Sequence, residues 1–511
     1  MLRAFLLSLV SCLALLVSGC YGDLDPVPAA APYTFATVDA NGGKWKPVYI
    51  QDVTTFAVAA PATVASAAYQ GELAQLKQLS QNLSAAQRGA IDKWGANGLV
   101  HWNEIARTLA AKYNLPPAAN ADGTYPIPNA SNPGIYPYFP FSNPVYSSRM
   151  YAYWSVAQYD ALVATWHYKY LYNRAAPYTN DANVTPALPR QELPAYPSED
   201  AVIAAVSKEI LTAMFPLEAA YLTEQMTEHR NSRLWAGMNT ESDLAAGEAL
   251  GKAIATQILS LSKTDGMKNA VGTPFKWDSL QQEAARRLGW AWQSLETPKR
   301  PPMLPFFGKV RPWCIPGVEV VRPPAPPAIG SAEFEKAVQE LKDLSKNLTA
   351  EQRRIANFWG DGVSTYTPPG HWNRAASDEL IEGAYNPLRT ARVYAYLNMA
   401  LMDAGISCWD TKTHYFYPRP AQTIANFRTL LGTPNFPSYT SGHSTFSASA
   451  AAVLSHFFPQ RAASFNAMAK EASESRIYGG IHYRFDCEAG LTTGAKIGEY
   501  VLKAAKADGG E

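Results

Sequence analysis

A chain of 511 residues, 47% of them hydrophobic, can bury a large core and suggests two or more domains. Its 44 Lys and Arg against 43 Asp and Glu leave a net charge of +1, which argues against nucleic acid, a partner that needs a basic stripe. The five cysteines form no CxxC and no Cys/His spacing suited to zinc.

Residues 1–20 read as a targeting segment. Arg3 supplies a positive start, and Ala4 to Val17 is nearly all apolar but short for a membrane span. Val17-Ser18-Gly19-Cys20 resembles a bacterial lipobox, so a signal peptide over 1–19 and a lipid-modified Cys20 are expected. The alternatives are an uncleaved anchor or a plain signal peptide. The expected product is an exported lipoprotein on the periplasmic or extracellular side. Its only membrane contact is the anchor, and Tyr21 in place of Asp favours the outer membrane. Once Cys12 and Cys20 are set aside, Cys314, Cys408 and Cys487 allow one disulfide and one free thiol, with the pairing open.

Residues 20–70, rich in Pro, Ala and Thr, read as a tether and irregular lead-in. Leu73, Leu76, Leu79 and Leu83 then open a helical pattern, and a first helical bundle is expected over 71–270. A Pro-rich loop from Leu115 to Pro144 interrupts it, either shaping a site entrance or only covering surface. Residues 271–330 read as a connector, Pro-heavy from Thr297 to Gly330, and a second bundle is expected over 331–511. The fold class is therefore all-α, two tandem helical bundles.

The two bundles repeat one another. Leu76-Lys77-Gln78-Leu79-Ser80-Gln81-Asn82-Leu83 returns as Leu341-Lys342-Asp343-Leu344-Ser345-Lys346-Asn347-Leu348, and His101-Trp102-Asn103 as His371-Trp372-Asn373. From Tyr151 onward the offset is constant: Lys169 matches Lys412 (412 − 169 = 243), Ser198 matches Ser441, Arg233 matches Arg476 and Asp243 matches Asp486. An internal duplication explains this better than chance. The differences carry the chemistry. Arg419, Gly442, His443 and His482 correspond to Ala176, Glu199, Asp200 and Asn239. The first copy loses a guanidinium and both histidines and gains two carboxylates, so it is expected to be chemically silent, with Lys169, Ser198, Arg233 and Asp243 in an internal salt-bridge network.

In the second copy, Trp409 to Asp486 gathers what a tetrahedral or trigonal-bipyramidal oxyanion needs. Lys412, Arg419 and Arg476 supply charge-assisted donors. Ser441, Gly442 and His443 precede an Ala- and Ser-rich helical stretch whose N-terminus favours an anion, and Gly442 leaves its amide accessible. His443 suits acid–base work, and His482 could ligate a metal or attack phosphorus. Asp486, four residues on, is expected to reach His482 along a helix and fix its tautomer.

Lys412-x6-Arg419-Pro420, Ser441-Gly442-His443 and Ser475-Arg476-x5-His482-x3-Asp486 resemble the three-part signature of the vanadium-dependent haloperoxidase and type 2 phosphatidic acid phosphatase superfamily. Thr440 stands where the family usually has Pro. Trp409, three residues before Lys412, and Phe436, seven before His443, are similar to the halide-pocket positions of vanadium chloroperoxidases, with core packing as the plainer account. Asp361 resembles a carboxylate that bonds Lys412 or His443. The resemblance implies a vanadate held through His482 and caged by Lys412, Arg419, Ser441, Gly442, His443 and Arg476. It also implies oxidation of halide by hydrogen peroxide. The alternative is an acid phosphatase that cleaves phosphate esters through a phosphohistidine, with phosphate in the same cage. A noncatalytic oxyanion binder would need neither histidine. Family members are often multimeric, but no interface signal is legible here.

Overall fold

The computed structural model describes residues 34–116, 118–125 and 143–511. The signal segment with Cys20, and most of the loop between Leu115 and Pro144, lie outside the described residues. Every regular element among those described is helical. None of these helices is long and apolar enough to cross a membrane.

The first half comprises α1 (Ala67–Gln81), α2 (Ala85–Gly95), α3 (Gly98–Tyr113), α4 (Pro144–Tyr172), the single turn α5 (Pro177–Asn180), α6 (Glu199–Met214), α7 (Ala219–Trp235) and α8 (Glu241–Ser262). After α9 (Pro274–Leu288) the second half follows as α10 (Ala332–Asn347), α11 (Ala350–Phe358), α12 (Thr367–Glu382), α13 (Pro387–Tyr415), α14 (Pro420–Thr423), α15 (Gly442–Phe457), α16 (Ala462–Tyr478) and α17 (Arg484–Ala505). From α4 onward each helix of the first half has a counterpart of equal length in the second, offset by the same spacing (387 − 144 = 243).

Local chemistry sets these boundaries. Ser84 with Gln87, and Thr349 with Gln352, close reciprocal capping boxes at the starts of α2 and α11. Asn143 and Asn386 cap α4 and α13, and each of those helices takes Pro at its first turn. The connector is less extended than its composition suggests. Thr273 caps α9, Pro274 opens it, and Gly289 (φ 79°) ends it in the left-handed region, so a helix precedes the Pro-heavy part.

The 29-residue α4 and α13 pack against each other at the centre. Tyr151 and Val163 of α4 and Tyr394 and Ile406 of α13 belong to one buried hydrophobic cluster, so the halves share a core. Asn103, Asn373 and Asn398 link across it through buried amide hydrogen bonds of 2.6–3.0 Å. Each central helix also holds an irregular segment. Asp160 accepts the backbone N–H groups of Val48, Tyr49 and Ile50, and Asp403 accepts those of Trp313, Cys314 and Ile315. The lead-in read from sequence as tether is thus laid onto α4 from at least Val48, with Trp45 and Ile50 buried.

Candidate active site

α13, α15, α17 and the turn before α17 converge on one buried cluster. Ser441 caps α15, its Oγ accepting Ser444 N–H at 3.3 Å, so Gly442 and His443 form that helix's first turn. Gly490 on α17 lets the two helices close up: a Cβ there would meet Ser444 Cβ at 2.8 Å and Ser441 O at 2.9 Å. A Cβ at Gly442, by contrast, would have only Phe446 and Trp409 near it, at 3.9 and 4.0 Å. That opening faces a cavity of about 440 Å³ lined by Gly442, His443, Arg476, His482, Trp409 and Phe436 among others.

His482 does not lie on a helix with Asp486, as its spacing suggested. It sits in the turn before α17, which begins at Arg484, and Asp486 occupies the third helical position. Asp486 Oδ2 accepts Tyr483 N–H at 3.2 Å as a capping residue and lies 2.9 Å from His482 Nδ1. The pairing the sequence called for is therefore made by a cap rather than by an i, i+4 helical contact. With Asp486 as acceptor, Nδ1 carries the ring proton, and Nε2 keeps its lone pair 3.0 Å from Arg419 Nη1. Burial, reinforced by Arg419, Lys412 and Arg476, holds His482 well below the ordinary histidine range, so the ring is neutral. Ser438, which was not singled out from the sequence because it lies outside the three-part motif, also donates to Asp486 Oδ2.

Arg419 is buried, its Nε bonded to Phe436 O at 3.0 Å and Nη1 to Ile481 O at 2.7 Å, while Nη2 has no partner. Arg476 donates to Ser475 Oγ at 2.8 Å and to the carbonyls of Ala356 and Trp359. Burial lowers both guanidinium pKa values to about 10. Lys412 is placed differently from expectation. Its Nζ donates to Pro437 O (2.8 Å), Ser438 O (2.8 Å) and Thr440 O (2.5 Å), so all three hydrogens order the loop that delivers Ser441. Its positive charge is in the site, but no donor is spare. Burial pushes its pKa downward.

Asp361 bonds histidines, not Lys412. Its Oδ2 lies 3.5 Å from His443 Nε2, and its Oδ1 3.1 Å from His371 Nδ1. His371 was legible in sequence only as a repeat of His101, and a comparison built on differences gives a matched residue no role in the site. Trp409 and Phe436 touch, with ring centroids 5.0 Å apart. The Trp409 indole N–H is taken by Met303 O at 2.8 Å, so this residue gives the cavity an apolar face rather than a free donor. Cys408 and Cys487 are buried, and both they and Cys314 are free thiols; no disulfide forms among these three.

The first copy shows what the second lacks. Lys169 pairs with Glu199 at 2.7 Å, Arg174 with Asp243, and Arg233 with Asp200 at 3.6 Å. Glu199 and Asp200, at the positions of Gly442 and His443, thus supply carboxylates to the cations of the first half. In the second copy no carboxylate of the described residues makes a salt bridge to Lys412, Arg419 or Arg476. The three buried cations thus have no carboxylate in direct contact, with Asp486 and Asp361 acting on them only at longer range, a set of charges suited to an anion.

Residues 393–507 match the family model of the PAP2 superfamily. This segment is a PAP2-superfamily domain. No curated protein matches the chain. Among solved structures, a bacterial vanadium-dependent iodoperoxidase is 26% identical, with a TM-score of 0.55 over 70% of this chain and 91% of that one. A bacterial vanadium-dependent chloroperoxidase shares the fold in its holo form (16% identity, TM-score 0.51, 74% of this chain and 96% of that one). Its apo form does so at 13% identity and a TM-score of 0.52, over 72% and 95%. The PAP2 domain holds all three parts of the motif, whereas Asp361 and His371 reach it from residues before the matched segment.

The histidine in the first turn of α15 has a measurable signature. Burial, helped by Arg476, lowers His443 to about 4. The folded state then binds fewer protons than the unfolded one between the ordinary value near 6.5 and about 4, so stability is lost as pH falls through that window. His443→Gln is expected to remove on the order of 2–3 kcal/mol of this acid sensitivity in anion-free protein. Urea melts of wild type and variant at pH 7 and pH 4.5 check it, with equal acid losses counting against the assignment.

Proposed function

We propose that the chain is a vanadate-dependent haloperoxidase that oxidises halide with hydrogen peroxide to hypohalous acid. The observation that carries this reading is the gathering of Lys412, Arg419 and Arg476 around His482, Arg419 at its Nε2, without a carboxylate salt bridge to any of the three cations among the described residues. The fit to a metal oxyanion rests on the donor set: Arg419 Nη2 is buried without a hydrogen-bond partner, and space lies open beside Gly442. His482 would hold vanadate through Nε2, and Arg419, Arg476, Ser441 and the Gly442 amide would bind its oxygens. Bound there, vanadate supplies Lewis-acid activation of peroxide toward halide. The chain supplies the rest. Asp486 keeps the His482 proton on Nδ1. His443, neutral through burial, takes a proton and returns it, with Asp361 stabilising the charged ring. Trp409 and Phe436 exclude water, which strengthens every charge interaction inside. Lys412 contributes charge and fixes the loop. The likeness to a vanadium-dependent iodoperoxidase supports this choice.

The same geometry suits a phosphatase in which His482 attacks phosphorus, and a paired assay separates the two. One arm gives the purified protein vanadate, hydrogen peroxide and bromide or iodide with a halogen acceptor; the other gives it a phosphomonoester without vanadate. Vanadate-dependent halogenation is expected. Ester hydrolysis inhibited by vanadate, with no halogenation, would replace the reading by a phosphatase.

A further inference from the structure

The outer wall of the active cavity is built by a segment outside the PAP2 domain. Residues 294–303 are laced to the loop that carries Phe436. Ser294 Oγ donates to Asn435 Oδ1 (2.6 Å), Asn435 Nδ2 donates to Pro301 O (2.6 Å) and Arg300 O (3.2 Å), and Met303 N donates to Asn435 O (3.2 Å). Met303 O in turn receives the Trp409 indole. This lacing brings Glu296 and Arg300 into the same cavity wall as Trp409, Phe436, His443 and His482. The two form a bidentate pair, Arg300 Nε to Glu296 Oε2 at 2.8 Å and Nη2 to Oε1 at 2.7 Å.

The charges of the wall give the pair a purpose. The interior is cationic. Asp361, the other carboxylate in the lining, is engaged by two histidines, which leaves Glu296 as the carboxylate that an entering anion meets. Unpaired, it would repel halide and oxyanions. Arg300 alone would attract them and hold them short of the cage. Paired, the two are near neutral, and the interior field decides where an anion settles.

We propose that Glu296 and Arg300 form a charge-balanced gate that sets the affinity of the active cavity for small inorganic anions. The inference rests on the oxyanion reading of the cavity. The gate acts on charge through space, so its two halves pull in opposite directions, whereas residues that merely hold the wall together would fail in the same direction.

The test is isothermal titration of the full chain with inorganic vanadate, and separately with inorganic phosphate, at low and high salt. Across a cavity of this size, on the order of 10 Å, one uncompensated charge changes affinity by about three- to tenfold. Glu296→Gln is expected to tighten binding by that factor and Arg300→Gln to weaken it. The double variant is expected to return to within about twofold of wild type, and about 0.5 M salt to flatten the differences. Both single variants weakening alike, or neither shifting, would overturn the gate while leaving the oxyanion site in place. A wild type that binds neither anion would overturn the oxyanion reading and the gate with it.

Discussion

Replacing His482 with alanine is expected to abolish turnover and tight vanadate binding while leaving the protein folded. The ring is a neutral lone-pair donor held against the three cations, and its geometry is fixed on both sides, by Asp486 at Nδ1 and Arg419 at Nε2. Without it an anion keeps its electrostatic partners but loses the single directional bond, or in the phosphatase reading the nucleophile. Losses of about 10³-fold or more in turnover are usual for such a group. The fold should survive, because His482 lies in a turn and Asp486 keeps its bonds to Tyr483 N and Ser438. Asp486→Asn is the graded companion. It keeps the shape but not the charge that fixes the tautomer, and outer partners of this kind are worth about 10- to 100-fold. Vanadate titration, turnover and thermal melts on both variants check the order. Near-normal turnover in His482→Ala would sink the assignment of this residue.

Much of the site was legible because the chemistry dictates residue types at fixed places. An oxyanion needs cations, a helix N-terminus and an ordered imidazole, and the structure gathers Lys412, Arg419, Ser441–His443, Arg476, His482 and Asp486, picked out by their spacing, into one buried cluster. The internal comparison sharpened it, since Glu199 and Asp200 mark where an anion's place has been filled. What stayed hidden depends on backbone path rather than residue type. Lys412 was expected to face the anion, but the loop from 437 to 440 turns its carbonyls inward and takes every donor. Asp486 was expected to reach back along a helix, but a turn intervenes and the contact is a cap. Asp361 was assigned to Lys412 or His443, and His371 shares it with His443. The wall from 294 to 303 carries no motif. It read as part of a Pro-rich connector because proximity to the site arises only when Asn435 stitches it down.

The contrast between the copies can be turned into a single substitution, Gly442→Glu. In the first copy Glu199 sits one residue into α6 and pairs with Lys169 at 2.7 Å, with that lysine fully buried. Gly442 holds the same place on α15, and a Cβ there would meet nothing closer than 3.9 Å outside its own stretch of helix. A glutamate there has room to reach the cationic cluster and become its internal anion. Two like charges about 4 Å apart repel by roughly 4 kcal/mol at the effective dielectric of such sites, or on the order of 10³-fold in affinity. Gly442→Glu should therefore lose vanadate and phosphate binding by about 10²- to 10³-fold and lose turnover with it. Its thermal midpoint should not fall and is expected to rise, because a buried cation gains a counter-charge and the first turn of a helix gains a carboxylate. The reverse change, Glu199→Gly, should destabilise by about 3–5 kcal/mol, since it strips from buried Lys169 its one carboxylate salt bridge among the described residues. Thermal melts with anion titrations on the two variants decide the matter. If Gly442→Glu is both inactive and unfolded, or if Glu199→Gly melts like wild type, then the carboxylates of the first copy do not stand in for an anion.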